Sequence, residues 1–417
     1  MRPFKYIKIA AIITAAAVFA SAFSGCSLMK FFNRYNPSNA PTVAPKSSSG
    51  SAVALGDRKQ TTSGYGYSSL DTDELRSLYN TIGEYMNRDF EEEFDAGGVS
   101  LSDFDQVLGA YEADHPEVFW LDLNSRYSYI DYGFSFSFKL NFEFEGDKLS
   151  AAKETFEQKL SEITGSAPQE ASDYQIEIFA NNYLIDNCSY DNDNSMRHNA
   201  YGALIDGKAV CDGYSKAFQV ICNSLGVECV GINGYCPEFN RENGESSDTG
   251  HMWNCVKIDG DWYHIDVTWN DGDAHIQRYL YFNMTTEKIK ENHVISPLFA
   301  DKKESDELFN VFVPECTSDK YNYMKREFVT LYNLDEDSEL LAEFLAAVQR
   351  GDRYIDFLVS EDLDYQQTTQ SISDYYGYKW IEAVNGYNSG GAQIDSETQF
   401  YTYKNINAVT FDIQYIN

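Results

Sequence analysis

Basic residues are scarce in this chain, and their scarcity excludes one class of partner. The 417 residues include 32 Lys and Arg against 65 Asp and Glu, for a formal net charge of −33. No stretch of the sequence gathers the basic residues into a stripe. Because nucleic acids are bound through clustered Lys and Arg that neutralise phosphates, we expect no nucleic acid partner.

Long apolar runs are also lacking, with one exception near the N-terminus. The run Ile9–Phe23 follows a basic start and is too short to span a bilayer comfortably, so it predicts a signal peptide at residues 1–25. The residues Phe23–Cys26 resemble a lipoprotein signal, in which Cys26 takes a diacylglyceryl anchor. Ordinary cleavage at Ala20–Ala22 is the alternative, and it would release the protein. We therefore expect an exported protein, either anchored as a lipoprotein on the outer face of the cell membrane or secreted.

The cysteine spacing matches no zinc framework, and we predict neither a metal nor a cofactor. Of the eight cysteines, Cys26 belongs to the lipoprotein signal, which leaves seven. An odd number fits one free reactive thiol among otherwise structural or paired cysteines. Export permits disulfides, but the sequence does not determine any pairing. The seven are Cys188, Cys211, Cys222, Cys229, Cys236, Cys255 and Cys316.

Composition and periodicity divide the mature chain into four segments. Much of 26–69 is rich in Ser, Pro, Gly, Asn and Thr, which predicts a flexible linker behind the lipid anchor. Residues 70–165 and 318–417 mix helical and alternating apolar patterns, which predict two α+β accessory modules. Residues 166–317 carry the candidate chemistry and are also expected to be α+β.

A candidate nucleophile stands at the beginning of a predicted helix. Cys211 follows Gly207–Val210, and the apolar residues after it recur at helical spacing until Gly226, which supplies a stop. The apolar positions are Tyr214, Phe218, Ile221 and Leu225. Unpaired N–H groups and the positive dipole end of a helix lie at its first turn, and both favour the thiolate, which is the nucleophilic form of cysteine.

A predicted β-hairpin supplies an imidazole and a carboxylate. The turn dipeptide Asp259–Gly260 joins two alternating segments, and a two-residue turn places Trp253 opposite Asp266 and His251 opposite Thr268. His251 and Asp266 then lie diagonally on one face, within reach of a hydrogen bond. A carboxylate that orients an imidazole, which in turn deprotonates a thiol, is the arrangement that cysteine nucleophiles require.

Three sequence motifs together resemble those of the transglutaminase-like superfamily. They are GKAVCDGYSKAF at 207–218, GHMWN at 250–254 and WYHIDVTW at 262–269, in the order Cys, His, Asp. The resemblance implies a papain-like fold, with the nucleophile helix packed on an antiparallel sheet, and a catalytic triad of Cys211, His251 and Asp266. It also implies acyl-enzyme chemistry on amides.

Several neighbouring residues offer rival interpretations of the site. His264 shares the face of Asp266 and could replace His251 as the base, although the family pattern assigns that role to His251. A zinc site built from His251, Cys255, His264 and Asp266 is conceivable but would leave Cys211 unexplained. We expect Trp253 and Trp262 to form walls of the site. The acidic loop from Cys236 to Gly250 is either a lid or an exposed insertion.

The expected function is therefore that of a cell-surface cysteine enzyme acting on amide bonds of proteins or peptides, with cell-wall peptides among the candidates. It would be a peptidase or amidase if water resolves the acyl-enzyme, and a transglutaminase if an amine does. The alternative is a surface binding or adhesion protein that uses the same fold without turnover.

Overall fold

The structure, a computed structural model, describes residues 50–416 with internal gaps. The gaps are 63, 237–249, 273, 300–307, 335–337 and 389. The predicted signal peptide, the predicted lipidation site Cys26 and the first part of the predicted linker lie outside the described residues, as does most of the acidic loop before Gly250.

The described residues form two compact units, and each mixes helices with sheets, which confirms the α+β class. The larger unit comprises the described residues from 50 to 272 and from 277 to 321. The smaller unit comprises 274–276 and the described residues from 322 to 416. Within these described parts, no helix combines the length and the apolar composition that crossing a membrane requires.

The larger unit contains the helices and strands that position the candidate site. Its described α-helices are α1 (Tyr65–Ser69), α2 (Asp73–Met86), α3 (Leu101–Asp114), α4 (Asp147–Gly165), α5 (Asp173–Asn187), α6 (Cys211–Ser224), α7 (Val267–Asn270) and α8 (Thr286–Ile289). Its described strands are β1 (Val53–Ala54), β2 (Glu93–Asp95), β3 (Tyr127–Asp131), β4 (Phe136–Leu140), β5 (Glu170–Ala171), β6 (Ser189–Tyr190), β7 (Lys208–Ala209), β8 (Cys229–Tyr235), β9 (Gly250–Ile258), β10 (Asp261–Ile265) and β11 (Val294–Ile295).

Side-chain caps explain where two of the helices begin. Helix α5 begins with a capping box, in which Ser172 N donates to Gln175 Oε1 at 2.9 Å and Gln175 N donates to Ser172 Oγ at 3.4 Å. At α2 the hydroxyl of Thr72 accepts the N–H of Leu75. These bonds satisfy N–H groups that the first turn of a helix leaves unpaired.

The central sheet has the order β10-β9-β8-β11, and every neighbouring pair is antiparallel. Helix α6 is bound to this sheet by side-chain hydrogen bonds. Ser215 Oγ donates to the carbonyl of Trp253 at 3.0 Å, and Asn254 Nδ2 donates to the carbonyl of Ser215 at 3.1 Å. Most of α6 is buried, including Phe218 and Ile221, so the helix forms part of the core. The expected packing of the nucleophile helix on an antiparallel sheet is present.

The register of the β9–β10 hairpin is the one that its turn predicts. Asp259 and Gly260 both have positive φ angles, 51° and 91°, which a two-residue hairpin turn of the favoured hand requires. The pairs run from Asp261 with Ile258 to Ile265 with Asn254. This register confirms the strand alignment expected from the sequence.

The structure differs from the expectation at the end of the hairpin. Strand β10 ends at Ile265, so the predicted pairings of Trp253 with Asp266 and of His251 with Thr268 are wrong. The backbone N–H of Asp266 donates to the carbonyl of Tyr281 at 3.0 Å instead, and its side chain caps α7. Capping was the stronger local preference, because Asp accepts hydrogen bonds from helix N-terminal N–H groups.

Residues 50–69 also differ from the flexible linker that was expected to extend through them. Strand β1 pairs with β5, and α1 follows. The buried guanidinium of Arg58 donates to the carbonyls of Ala171 and Leu225 and pairs with Asp173 at 3.0 Å. Composition suggested flexibility, but this buried cation and the added strand order the described part of the segment.

The helices of the smaller unit are α9 (Tyr323–Glu327), α10 (Ser338–Arg350), α11 (Tyr365–Ser371) and α12 (Gly377–Tyr387); its strands are β12 (Val329–Leu331), β13 (Tyr354–Val359), β14 (Gln393–Ile394), β15 (Gln399–Tyr403), β16 (Ala408–Asp412) and β17 (Tyr415–Ile416). The strands form a sheet of order β12-β13-β16-β15 and a two-stranded sheet, β14-β17. Helix α10 ends just before Gly351, and β13 follows it. Phe344, Phe357, Trp380 and Phe411 form the unit's apolar core.

A buried carboxyl on α5 makes the stability of the larger unit depend on pH. Glu177 is fully buried and accepts a hydrogen bond from Asn283 Nδ2 at 2.7 Å. Burial raises the pKa of Glu177 well above its ordinary value, although the Asn283 bond opposes the shift. The folded protein therefore keeps a proton that the unfolded chain loses above its ordinary pKa, and stability falls as pH rises through that range.

We predict that Glu177→Gln removes this pH dependence. The free energy of unfolding of the variant, relative to wild type, should rise by about 1.4 kcal/mol per pH unit above about pH 4.5, until the pKa of the folded carboxyl is reached. Urea denaturation from pH 4 to pH 8 measures the difference. The exposed Glu154→Gln is the matched control, and equal pH slopes in all three proteins would contradict the prediction.

Candidate active site

Cys211 is the first residue of α6, as the sequence predicted. It is partly exposed, whereas Cys222 further along the helix is completely buried. The helix can begin here because residue 213 is glycine: a Cβ at Gly213 would lie only 2.3 Å from the carbonyl oxygen of Arg197. The segment that contains Arg197 passes so close to the first turn of α6 that any residue larger than glycine at position 213 would clash with it.

His251 lies on β9 opposite Gly234, beside the start of α6. Its Nε2 lies 2.7 Å from Asp266 Oδ2, and the thiols of Cys211 and Cys236 lie close enough to interact with its imidazole. Because Nε2 faces the carboxylate, Nδ1 is the nitrogen that remains for the thiols. The structure thus pairs His251 with Asp266 and places the Cys211 thiol near the same imidazole.

Asp266 is completely buried and has several donors around its carboxylate. Oδ1 accepts the N–H of Trp269 at 3.1 Å, which makes Asp266 the cap of α7. Oδ2 lies 2.7 Å from His251 Nε2 and 3.0 Å from His293 Nε2. The carboxylate is therefore held by one backbone group and two imidazoles.

His293 is a component of the site that the sequence analysis missed. It is buried between α8 and β11, and its ring centroid lies 4.5 Å from that of Trp269 and 4.9 Å from that of Trp253. Its Nδ1 lies 2.7 Å from Oδ1 of Asn292, and Nδ2 of the same amide donates to the hydroxyl of Tyr281. No motif or periodicity singles out this histidine, because it lies 27 residues after the carboxylate in the sequence and reaches it only through folding.

The electrostatics of the site separate the roles of the two imidazoles. Burial would lower the pKa of His251, but the Asp266 carboxylate raises it well above its ordinary value. Burial likewise opposes ionisation of Asp266, yet the positive His251 and the His293 hydrogen bond hold its pKa below the ordinary range. Burial lowers the pKa of His293, which is therefore neutral. The site therefore holds a charged imidazole, His251, beside a neutral one, His293.

A second thiol also reaches the site. Cys236 follows β8 and is buried, and its sulfur lies within 4.8 Å of a ring nitrogen of His251. Burial raises the pKa of Cys236, so this thiol is protonated at neutral pH. No motif in the sequence places Cys236 here rather than in the core.

The remaining candidates occupy different places. Trp253 packs against His251 with a centroid distance of 5.9 Å and an interplanar angle of 21°, whereas the ring of Trp262 packs against Tyr65 and Phe312. His264 does not join His251: its Nδ1 lies 3.1 Å from Trp253 Nε1 and 3.1 Å from Cys255 Sγ.

The four residues that the sequence offered as zinc ligands therefore lie in two separate groups. Among the described residues, ligand atoms approach one another in the sets Cys236–His251–His293 and Cys255–His264–Cys316. In the first set both histidines direct Nε2 at Asp266.

Comparison with known proteins agrees with the motifs. Residues 159–267 match the model of the Transglutaminase-like superfamily. The kyphoscoliosis peptidases of Mus musculus and Homo sapiens are 39% and 37% identical to this chain over 67 residues. That stretch is 16% of this chain and 10% of each relative, so the chain spans about a tenth of the length of the curated relatives it matches.

Two solved structures are also similar to parts of the chain. One, from Cytophaga hutchinsonii and described provisionally as a cysteine protease, is 13% identical and covers 34% of this chain and 61% of that one, with a TM-score of 0.22. The other, described as a TGase, is 17% identical and covers 37% of this chain and 50% of that one, with a TM-score of 0.24. Scores this low carry no weight for the fold or the activity.

We predict that Cys211 is the fastest-reacting thiol and that its reactivity depends on His251. His251→Ala should slow alkylation of Cys211 by iodoacetamide near pH 7 by roughly 100-fold, which is the lower end of what a positioned acid–base group contributes. Peptide mass spectrometry over a time course measures the rate at each cysteine.

His198→Ala is the matched control for this measurement. His198 pairs with Asp212 at 2.9 Å, directly beside the nucleophile, but it is half-exposed and outside the predicted triad. Its replacement should change the rate at Cys211 by no more than a few-fold. An equal loss in both variants would show that the two histidines act only through the local structure.

Proposed function

We propose that this chain is a cysteine enzyme that transfers acyl groups from amide bonds of proteins or peptides, with Cys211 as nucleophile, His251 as base and acid, and Asp266 as the group that positions His251. The observation that carries the proposal is the 2.7 Å contact between His251 Nε2 and the buried Asp266, on an imidazole that also interacts with the Cys211 thiol. The match of residues 159–267 to the Transglutaminase-like superfamily supports it.

The geometry suits a two-step reaction through a thioester. The Cys211 thiolate attacks the carbonyl carbon of the amide, and the imidazolium of His251 then gives its proton to the leaving amine. The N–H of Cys211 is among the N-terminal groups of α6 that the helix leaves without partners, so it is placed to stabilise the oxyanion. In the second step the neutral His251 takes a proton from the attacking water or amine.

Hydrolysis is the first choice for the second step. The curated relatives that match 67 residues of this chain are named peptidases, and we extend that name to this chain only as a proposal. Transfer to an amine, as in a transglutaminase, uses the same residues and differs only in the nucleophile that resolves the thioester. The site geometry is equally compatible with either acceptor.

We further propose that the enzyme works outside the cytoplasm. The basic start, the apolar run to Phe23 and Cys26 support export and lipid anchoring on the outer face of the membrane, and secretion is the alternative. Peptides of surface proteins or of the cell wall are then the accessible substrates. The strongly negative chain also remains soluble in that setting.

A substrate screen that compares wild type with Cys211→Ala tests the activity. New amino termini in a library of peptides and cell-wall fragments would indicate hydrolysis, and ammonia release with incorporation of a labelled amine would indicate transfer. Either activity should be lost in Cys211→Ala, while Cys222→Ala, which replaces the buried cysteine of the same helix, should retain it. Binding of substrates without turnover by both wild type and Cys211→Ala would favour a surface adhesion protein instead.

We predict that His293 acts as a positioning residue through Asp266. His293→Leu removes one donor from a buried carboxylate, and a hydrogen bond to a charged group contributes about 1.5–3 kcal/mol, so kcat/KM should fall by about tenfold or more. The pKa of Asp266 should rise with the loss, and the acidic limb of the pH profile of kcat/KM should therefore move to higher pH.

His293→Gln provides the conservative comparison, because its amide can still donate to Asp266. This variant should recover part of the activity and most of the wild-type pH profile. A uniform loss of kcat at every pH, shared equally by the Leu and Gln variants, would mean that His293 only fills space.

A further inference from the structure

A second group of thiol, imidazole and hydroxyl side chains lies next to Trp253, whose indole N–H donates to His264. It consists of Cys255 on β9, His264 on β10, Thr286 on α8 and Cys316, which together we call the thiol cluster. Cys255 and His264 are completely buried, and Cys316 is 1% exposed. The two sulfur atoms are 3.8 Å apart. Acyl transfer at Cys211 makes no use of this cluster.

We propose that Cys255 and Cys316 form a disulfide bond in the mature protein. A disulfide requires the two sulfurs at about 2 Å, so a rotation of the side chains must bring them closer by roughly 2 Å. Backbone contacts already fix the segment that carries Cys316. The N–H of Cys316 donates to Thr286 Oγ1 at 2.9 Å, and the N–H of Thr286 donates to the carbonyl of Cys316 at 2.7 Å.

A metal ion fits the thiol cluster less well than a disulfide. The Nε1–H of Trp253 donates to Nδ1 of His264 at 3.1 Å, and Nε2 of His264 faces Thr286 Oγ1 at 3.2 Å. A metal on Nδ1 would displace the buried Trp253 N–H, and a metal on Nε2 would require a proton on Nδ1 that opposes the same N–H. Either arrangement leaves a buried donor without an acceptor, which costs free energy.

The chemistry of the pair suits thiol–disulfide exchange. As the chain folds, one of the two thiols loses its proton to solvent and becomes the attacking thiolate. It attacks an external disulfide of the type R–S–S–R, forms a mixed disulfide and releases one thiol, RSH. The second cysteine, also as its thiolate, then attacks the mixed disulfide, forms the bond between Cys255 and Cys316 and displaces the second RSH. The protein loses two hydrogens and the oxidant gains them.

The disulfide bond would close a loop that supplies two residues of the candidate active site. The loop from Cys255 to Cys316 contains Asp266 and His293, but neither Cys211 nor Cys236. Oxidation of this pair therefore fixes the segment that supplies the carboxylate while it leaves the nucleophile as a thiol. Because the pair is buried, the exchange takes place as the chain folds, before the segment around Cys316 closes over β9.

The experiment uses the full chain refolded with reduced and oxidised glutathione. Free thiols are then blocked with iodoacetamide, and the non-reduced digest is analysed by mass spectrometry. We expect one cross-linked peptide that joins Cys255 to Cys316, with Cys211 alkylated. The melting temperature of the oxidised protein should exceed that of the reduced protein by roughly 5 °C.

Serine variants test whether the increase in melting temperature comes from the bond between Cys255 and Cys316. Cys255→Ser and Cys316→Ser should each abolish the difference between oxidised and reduced protein, and Cys188→Ser, which replaces another buried cysteine, should retain it. The wild-type comparison alone decides the question if a serine variant does not fold. Alkylation of both Cys255 and Cys316 after oxidative refolding would overturn the proposal. So would stoichiometric zinc that raises the melting temperature of the reduced protein. Neither result depends on whether the chain is an enzyme.

Discussion

The candidate site depends on keeping the carboxylate of Asp266 ionised where no water reaches it. Burying an unpaired charge is among the most costly changes in a protein, and here the cost is offset by three donors. The N–H of Trp269 comes from α7, His251 from β9, and His293 from the segment before β11. Each of these elements therefore has to be in place for the charge to be tolerated, which couples the assembly of the site to the folding of the larger unit.

The backbone at the end of the hairpin determines the orientation of the Asp266 carboxylate. Had β10 continued past Ile265, Asp266 would point from the sheet face with no fixed donor for its second oxygen. Because the chain turns into α7 instead, Oδ1 caps the helix and Oδ2 is left to face the imidazoles. A carboxylate fixed at one oxygen by backbone holds its partner ring more firmly than a freely rotating side chain would, and orientation is what the base requires.

Patterns that are local in sequence predicted much of this site. The Asp259–Gly260 turn sets the register of the hairpin, and helical spacing places Cys211 at the start of α6; both features are present. What was missed depends on contacts between distant residues. His293, Cys236 and the strand β1 reach their partners only after folding, and no periodicity marks them. The end of β10 at Ile265 was missed because α7, the helix that Asp266 caps, has only four residues and is too short to show a helical pattern in the sequence.

Two chemically identical rings share one carboxylate, and their surroundings decide which carries the proton. Burial lowers the pKa of His251, but the Asp266 carboxylate 2.7 Å away raises it well above its ordinary value. Burial also lowers the pKa of His293, and there the charge on His251 opposes a second cation nearby. His293 is therefore the neutral ring of the pair, with Nε2 toward Asp266 and Nδ1 toward the side-chain oxygen of Asn292. The mobile proton is thereby confined to His251.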